Sequence, residues 1–181
     1  MPEESLVETQ DIIDCPRQLR DEWRSPDSDL PQRWRRTYPA VFDDDDLKLA
    51  QGKQRKINHF SEWFVAIYLF ERDGSRSLVE KYDTYEIPSL GHLRRGHQRK
   101  VAEYQRVVPP SVRHQLFKIC ANNKVQLPDL LVIAVDDDGF SFVEVKGPGD
   151  GTVNRENQRR SRQAIRDLGV PVEVIAVRLV S

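Results

Sequence analysis

Three residues could do chemistry together: Asp129, Glu144 and Lys146, within LPDLLVIAVDDDGFSFVEVKGPGD, Leu127 to Asp150. Carboxylate oxygens hold a hard divalent cation such as Mg²⁺. Such a cation polarises a phosphate and lowers the pKa of a bound water. An ammonium beside them can orient that water and offset charge building on a phosphorane. Two carboxylates and a lysine on one surface are thus the set that metal-dependent phosphodiester hydrolysis needs. Asp129 and Glu144 would be the ligands, with the Val145 backbone carbonyl as a further one.

A β-hairpin must bring them together. Leu130 to Val135 is continuously apolar, which predicts a central strand covered on both faces. Asp136-Asp137-Asp138-Gly139 is turn chemistry. Phe140 to Lys146 returns, with Phe142, Glu144 and Lys146 on one face and Val143 and Val145 on the other. A two-residue loop at 137–138, or a four-residue loop at 136–139, pairs Val135 with Phe140, Leu131 with Glu144 and Asp129 with Lys146. Asp129 and Glu144 would then be diagonal neighbours, about 7–8 Å apart at Cα.

The flanking segments read as supports. Asn154 or its neighbours start a helix to about Leu168, stopped by Gly169 and Pro171. Gln158, Ser161, Ile165 and Leu168 share a stripe, so Gln158 points inward beside the site. Residues 171–180 form an internal strand. Residues 57–70, INHFSEWFVAIYLF, predict a buried helix capped by Asn58 or Ser61; a strand is the rival. Glu62, its one charge, either sits partly solvated in the first turn or supplies a third carboxylate to the metal. Residues 77–87 alternate as a strand, 93–108 form a basic helix stopped by Pro109 and Pro110, and Ser111 caps another. His92, His97 and His114 lack cysteine or histidine partners at zinc spacing, which leaves them surface or phosphate-contact roles.

Residues 1–50 read as an irregular arm cut by Pro16, Pro26, Pro31 and Pro39, with a short helix near 16–24. Trp23 and Trp34 imply that the arm packs somewhere. Asp43 to Asp46 reads as a solvated, helix-starting or disordered acidic run; a phosphate mimic or an extra metal site are the other readings. The domain would be residues 51–181.

The 181 residues carry a net charge of −1, 31% charged and 38% hydrophobic side chains. These totals fit one folded domain rather than a disordered chain. No apolar run approaches the roughly 18 residues of a membrane span, and the acidic MPEESLVETQ start has no apolar signal region. Cys15 and Cys120 read as reduced thiols of a cytoplasmic protein. Positive charge is local: residues 91–118 hold seven basic side chains (Arg94, Arg95, Arg99, Lys100, Arg106, Arg113, Lys118) against Glu103. Residues 151–181 add six against three, including Arg155, Arg159 and Arg162. Basic patches flanking an acidic site suit a polyanion such as DNA. Arg94, Arg95, Arg99, Lys100, Arg155, Arg159 and Arg162 are the expected backbone contacts.

At these residues the chain resembles the PD-(D/E)xK nuclease superfamily, and within it the VRR-NUC family. The match runs through Pro128-Asp129, Glu144-Val145-Lys146-Gly147-Pro148, Asp150 and Gln158. The resemblance implies an α/β restriction-endonuclease-like core, a mixed central β-sheet flanked by helices. It implies Mg²⁺ or Mn²⁺ dependence, structure-selective cleavage of DNA (branched DNA included) in repair, recombination or phage DNA processing, and a homodimer. It maps an upstream helical carboxylate onto Glu62, with Glu103 in reserve, and adds Gln158 to the catalytic set. The alternatives are a catalytically silent nuclease-fold protein that binds nucleic acid or a partner, and an inhibitor using the acidic arm as a DNA mimic.

Overall fold

The computed structural model describes residues 10–52, 59–79, 82, 95–148 and 155–181, with the side chains of 95–97 and of Arg155 outside the description. Expectations for His92, Arg94, Asp150, Asn154 and the later part of the 77–87 strand fall outside those residues. So do those for the side chains of Arg95, His97 and Arg155.

In chain order the elements are β1 (Asp11–Pro16), α1 (Arg17–Arg24), α2 (Leu30–Thr37), α3 (Asp44–Ala50), α4 (Phe60–Asp73) and β2 (Arg76–Val79). Then come α5 (Arg95–Val107), α6 (Pro110–Asn123), β3 (Leu130–Ile133), β4 (Phe140–Lys146), α7 (Arg155–Asp167) and β5 (Val172–Val180). The strands form one mixed sheet in the order β1-β5-β4-β3-β2. β5 runs parallel to both β1 and β4, while β3 runs antiparallel to β4 and β2. The expected α/β class, a mixed central sheet flanked by helices, is what the chain forms.

Side-chain alternation along the strands builds two cores. Val132, Val143, Val145, Ile175 and Val177 face one side, where Trp23, Trp34, Phe60 and Trp63 meet them. Leu131, Ile133, Phe142 and Val172 face the other, against Tyr104, Leu116 and Ile165. All four residues of β3 are buried, as a central strand requires.

Residues 10–50 correct the expectation of an irregular arm. β1 adds a strand at the sheet edge, and α1 and α2 stack indoles over α4. The Trp23 and Trp34 ring centroids lie 5.2 Å apart, and Trp23 stands 5.4 Å from Trp63. Pro16 precedes α1 and Pro31 lies in the first turn of α2, where neither costs a helix bond. The prolines thus separate short helices rather than prevent them.

The acidic run starts a helix, one of the readings open to it, but not all of it is solvated. Asp43 caps α3: its Oδ1 accepts from the N–H groups of Asp45 and Asp46, both at 2.8 Å, and Asp46 Oδ2 accepts from the Asp43 N–H at 3.2 Å. Asp46 is 2% exposed, and Lys100 Nζ donates to its Oδ1 and to the Val79 carbonyl, both at 2.8 Å. One acid of the four is therefore a buried ion-pair partner, not a solvated one.

Other boundaries move slightly. His59, in a left-handed conformation, precedes α4 where Asn58 or Ser61 was expected, and Gly74 at φ 77° ends it. Pro109 rather than Ser111 precedes α6.

Candidate active site

The hairpin register differs from the expected one by two residues. Ile133 pairs with Phe140, Leu131 with Phe142 and Leu130 with Val143. The turn explains the shift. The Ala134 N–H donates to the Gly139 carbonyl at 3.0 Å and the Asp137 N–H to the Ala134 carbonyl at 3.0 Å, which closes a loop over 135–138. Asp137 takes φ 59°, and Val135 is 68% exposed in the turn rather than paired. A shift of two preserves which face each side chain occupies. Continuing this register one step beyond β3 brings Asp129 level with Glu144, where the expected register made them diagonal and set Asp129 opposite Lys146.

The two carboxylates are held from different sides. The Val145 N–H donates to Asp129 Oδ2 at 2.8 Å. The Tyr82 hydroxyl donates to the carbonyl of Pro128, which fixes the backbone just before Asp129. Lys146 Nζ donates to Glu144 Oε1 at 2.6 Å and to Gln158 Oε1 at 3.2 Å. Gln158 therefore sits where the α7 stripe predicts, and it orients the lysine. Glu62, on the first turn of α4, accepts or shares a hydrogen with His59 Nδ1 at 3.2 Å.

Burial dominates the electrostatics. Desolvation raises the Asp129 carboxyl from its usual 3.8 to about 7. Repulsion from Glu144, and more weakly from Glu62, pushes the same way; the Val145 N–H and the Lys146 ammonium oppose it. Glu62 thus lies close enough to act on Asp129. Among the described residues no group of three or more His, Cys, Asp and Glu forms a ready metal cage. The donor set that does stand together, the buried Glu144 beside the half-buried Asp129 with its proton affinity raised, is chemically suited to a hard dication.

The reserve carboxylate is excluded by position. Glu103 pairs with Arg76 at 3.2 Å and Arg106 at 2.7 Å, and Arg76 also reaches Asp137 at 2.6 Å. That cluster is at the hairpin turn, the opposite end of β3 from Asp129.

Two expected DNA contacts change role. Lys100 is buried in its pair with Asp46, so it supports α5 rather than meeting a ligand. Arg162 is 6% exposed and faces inward, with Nη1 3.8 Å from Glu144 Oε1. Its place four residues after Gln158 on one helix was the signal that it shares the site face. Arg99 is exposed but ion-paired with Asp43. Arg159 stays on the outer surface beside Glu156 at 3.3 Å, and His114 is exposed on α6. Cys15 and Cys120 are not joined in a disulfide, and burial pushes the Cys15 thiol up to about 11.

The VRR-NUC domain family matches residues 76–179, the span that holds Asp129, Glu144, Lys146 and Gln158. The chain belongs to the VRR-NUC family. This is a nuclease family. Among solved structures the chain is similar to paFAN1, described as bound to 2-nucleotide 5′-flap DNA with a gap. The identity is 25% and the TM-score 0.38, over 49% of this chain and 16% of that one. The chain therefore spans only a small part of that protein's length. No curated protein matches the chain.

Proposed function

We propose that this VRR-NUC protein is a Mg²⁺- or Mn²⁺-dependent endonuclease that hydrolyses phosphodiester bonds of DNA, with a preference for branched or flapped structures. The observation that carries the reading is the pairing of Asp129 with Glu144 at the strand ends, with Lys146 bonded to both Glu144 and Gln158.

Asp129 and Glu144 would hold the cation, with the Val145 carbonyl and Glu62 completing its shell. A bound dication would polarise the scissile phosphate and acidify a water. The chain's own residues do the rest. Desolvation of Asp129 and its repulsion from Glu144 would both be offset by a bound cation. The Val145 N–H fixes one Asp129 oxygen and leaves the other to coordinate. Lys146 carries a fixed positive charge next to the reacting phosphate, and Gln158 restricts where that ammonium points. Preorganised charge of this kind lowers the barrier without reorganisation during reaction. Arg94, Arg95, Arg99, Arg155 and Arg159 would hold the backbone, which predicts salt-dependent affinity. A homodimer acting on both arms of a branched DNA is part of the same reading, as is a role in DNA repair, recombination or phage DNA processing.

The test is a panel of labelled linear, flap and junction DNAs incubated with purified protein and either Mg²⁺ or Mn²⁺. Cleavage that stops on chelation and in Lys146→Ala is expected. A panel left uncut under both metals removes the enzyme reading. Cleavage by Lys146→Ala at the wild-type rate removes the site assignment.

A further inference from the structure

His59 stands at the N-cap of α4, where a short polar side chain ordinarily accepts a hydrogen bond from the first turn. Its side chain makes no such bond. Nδ1 meets Glu62 Oε1, three residues on, at 3.2 Å. Both side chains are half-buried. A metal-binding carboxylate only accepts hydrogen bonds, so the hydrogen between them belongs on Nδ1.

Three features hold the imidazole in that place. Its backbone is left-handed, φ 47° and ψ 23°, a conformation uncommon outside glycine. The His59 carbonyl accepts from the Trp63 N–H at 3.0 Å. The ring meets the Trp63 indole edge to face, with centroids 6.0 Å apart and planes at 89°. That indole is itself fixed by packing, buried with Trp23 at 5.4 Å and Phe42 at 5.0 Å. A strained backbone persists only where its surroundings impose it, and such positions cluster at functional sites.

Glu62 is the residue that gains from this. A glutamate in the first turn of a helix has several rotamers, and the N–H groups of that turn compete for its oxygens. Glu62 lies near enough to Asp129 for its charge to raise that carboxyl. We infer that His59 is a positioning residue of the metal site: its Nδ1–H donates to Glu62 Oε1, restricts that side chain and leaves Oε2 for the cation. The inference rests on the nuclease reading, in which Glu62 completes the metal shell. His59 acts through Glu62 rather than on the substrate, so it is not a catalytic residue. Hydrogen bonds to metal-binding groups of this kind change metal affinity by about 10–100-fold.

Calorimetric titration with Mn²⁺, in the absence of DNA, tests the idea. His59→Gly keeps the left-handed backbone and removes the donor, and should weaken Mn²⁺ binding about 10-fold. His59→Asn also suits that backbone and offers an amide N–H on the same Cγ that carries Nδ1, so it should restore most of the affinity. In a Glu62→Gln chain, itself weakened, His59→Gly should add no further loss, because no ligand is left to orient. Wild-type affinity in His59→Gly, an equal loss in His59→Asn, or a second loss on top of Glu62→Gln overturns the inference and leaves the nuclease reading standing. A Glu62→Gln chain with wild-type affinity removes Glu62 from the metal shell and the inference with it. A wild-type chain that binds no Mn²⁺ brings down both the inference and the metal-dependent reading. Long-range ¹H–¹⁵N NMR of the unsubstituted chain at pH 8 decides the question even where His59→Gly fails to fold. Hydrogen on Nδ1 of His59 is expected, and hydrogen on Nε2 alone overturns the inference.

Discussion

Replacing Asp129 by asparagine should make the metal-free protein more stable, and only at pH values where the aspartate is forced to ionise. The folded-state carboxyl titrates near 7 against a usual value of 3.8, with desolvation as the main cause and Glu144 as the second. A carboxyl whose pKa is raised on folding binds more protons in the native state than in the unfolded chain across that window. Stability therefore falls as pH rises from about 4 to about 7, and stays low above it. Three pKa units at about 1.4 kcal/mol each set an upper limit of about 4 kcal/mol. Relaxation of a partly open site reduces this, so a gain of roughly 1–4 kcal/mol at pH 8 is expected for Asp129→Asn. Asparagine keeps an oxygen to accept the Val145 N–H now 2.8 Å from Asp129 Oδ2, so the backbone anchor survives. For a chain of this size that gain is worth roughly 2–4 °C per kcal/mol in Tm. Calorimetric melting in chelator at pH 5 and pH 8 reads it directly. The variant's advantage must be larger at pH 8. Adding Mg²⁺ or Mn²⁺ should then raise the wild-type Tm and leave the variant unmoved. A variant that is less stable at pH 8, or whose advantage does not change with pH, would refute the claim that desolvation and Glu144 load Asp129.

Three further perturbations separate structural from chemical roles. Lys100→Met leaves Asp46 buried without its ammonium and should cost about 3–5 kcal/mol in denaturant unfolding, with Asp46→Leu in the same chain recovering most of it. Glu62→Gln should weaken Mn²⁺ binding in a calorimetric titration, whereas Glu103→Gln, which disturbs only the ion cluster at the hairpin turn, should leave that affinity unchanged and cost under about 1 kcal/mol. Trp23→Ala should destabilise the protein by about 3–5 kcal/mol, since its indole is buried against Trp34, Phe60 and Trp63. A smaller loss would mean that residues 10–50 fold apart from the sheet.

The sequence carried the site face better than the site geometry. Strand alternation placed Asp129, Glu144 and Lys146 together because side-chain parity survives a two-residue register error. It did not fix the pairing, because three consecutive aspartates and a glycine permit more than one turn. Only the Asp137 conformation and the Ala134–Gly139 closure select it. Gln158 was legible from helical spacing alone. Arg162 lies on that same inward side, four residues after Gln158, but the surrounding run of arginines on one helix masks that spacing. Residues 10–50 misled for a related reason. Short helices separated by prolines show little periodicity, and their cohesion comes from indole stacking across three elements. Lys100 and Asp46 pair over 54 positions, a distance at which composition gives no cue.

β1 has a consequence for how this protein is made. Asp11 aligns with Ile175 and Asp14 grips Arg178, so the outermost strand pairs with one that follows it by more than 160 positions. A contact across more than 160 positions cannot form until β5 has left the ribosome. Closing so long a loop is slow compared with local helix and hairpin formation. The nascent protein must therefore carry β1 as an unpaired edge while the hairpin and its helices assemble. The edge strand is the step at which synthesis, chaperone capture and off-pathway pairing compete.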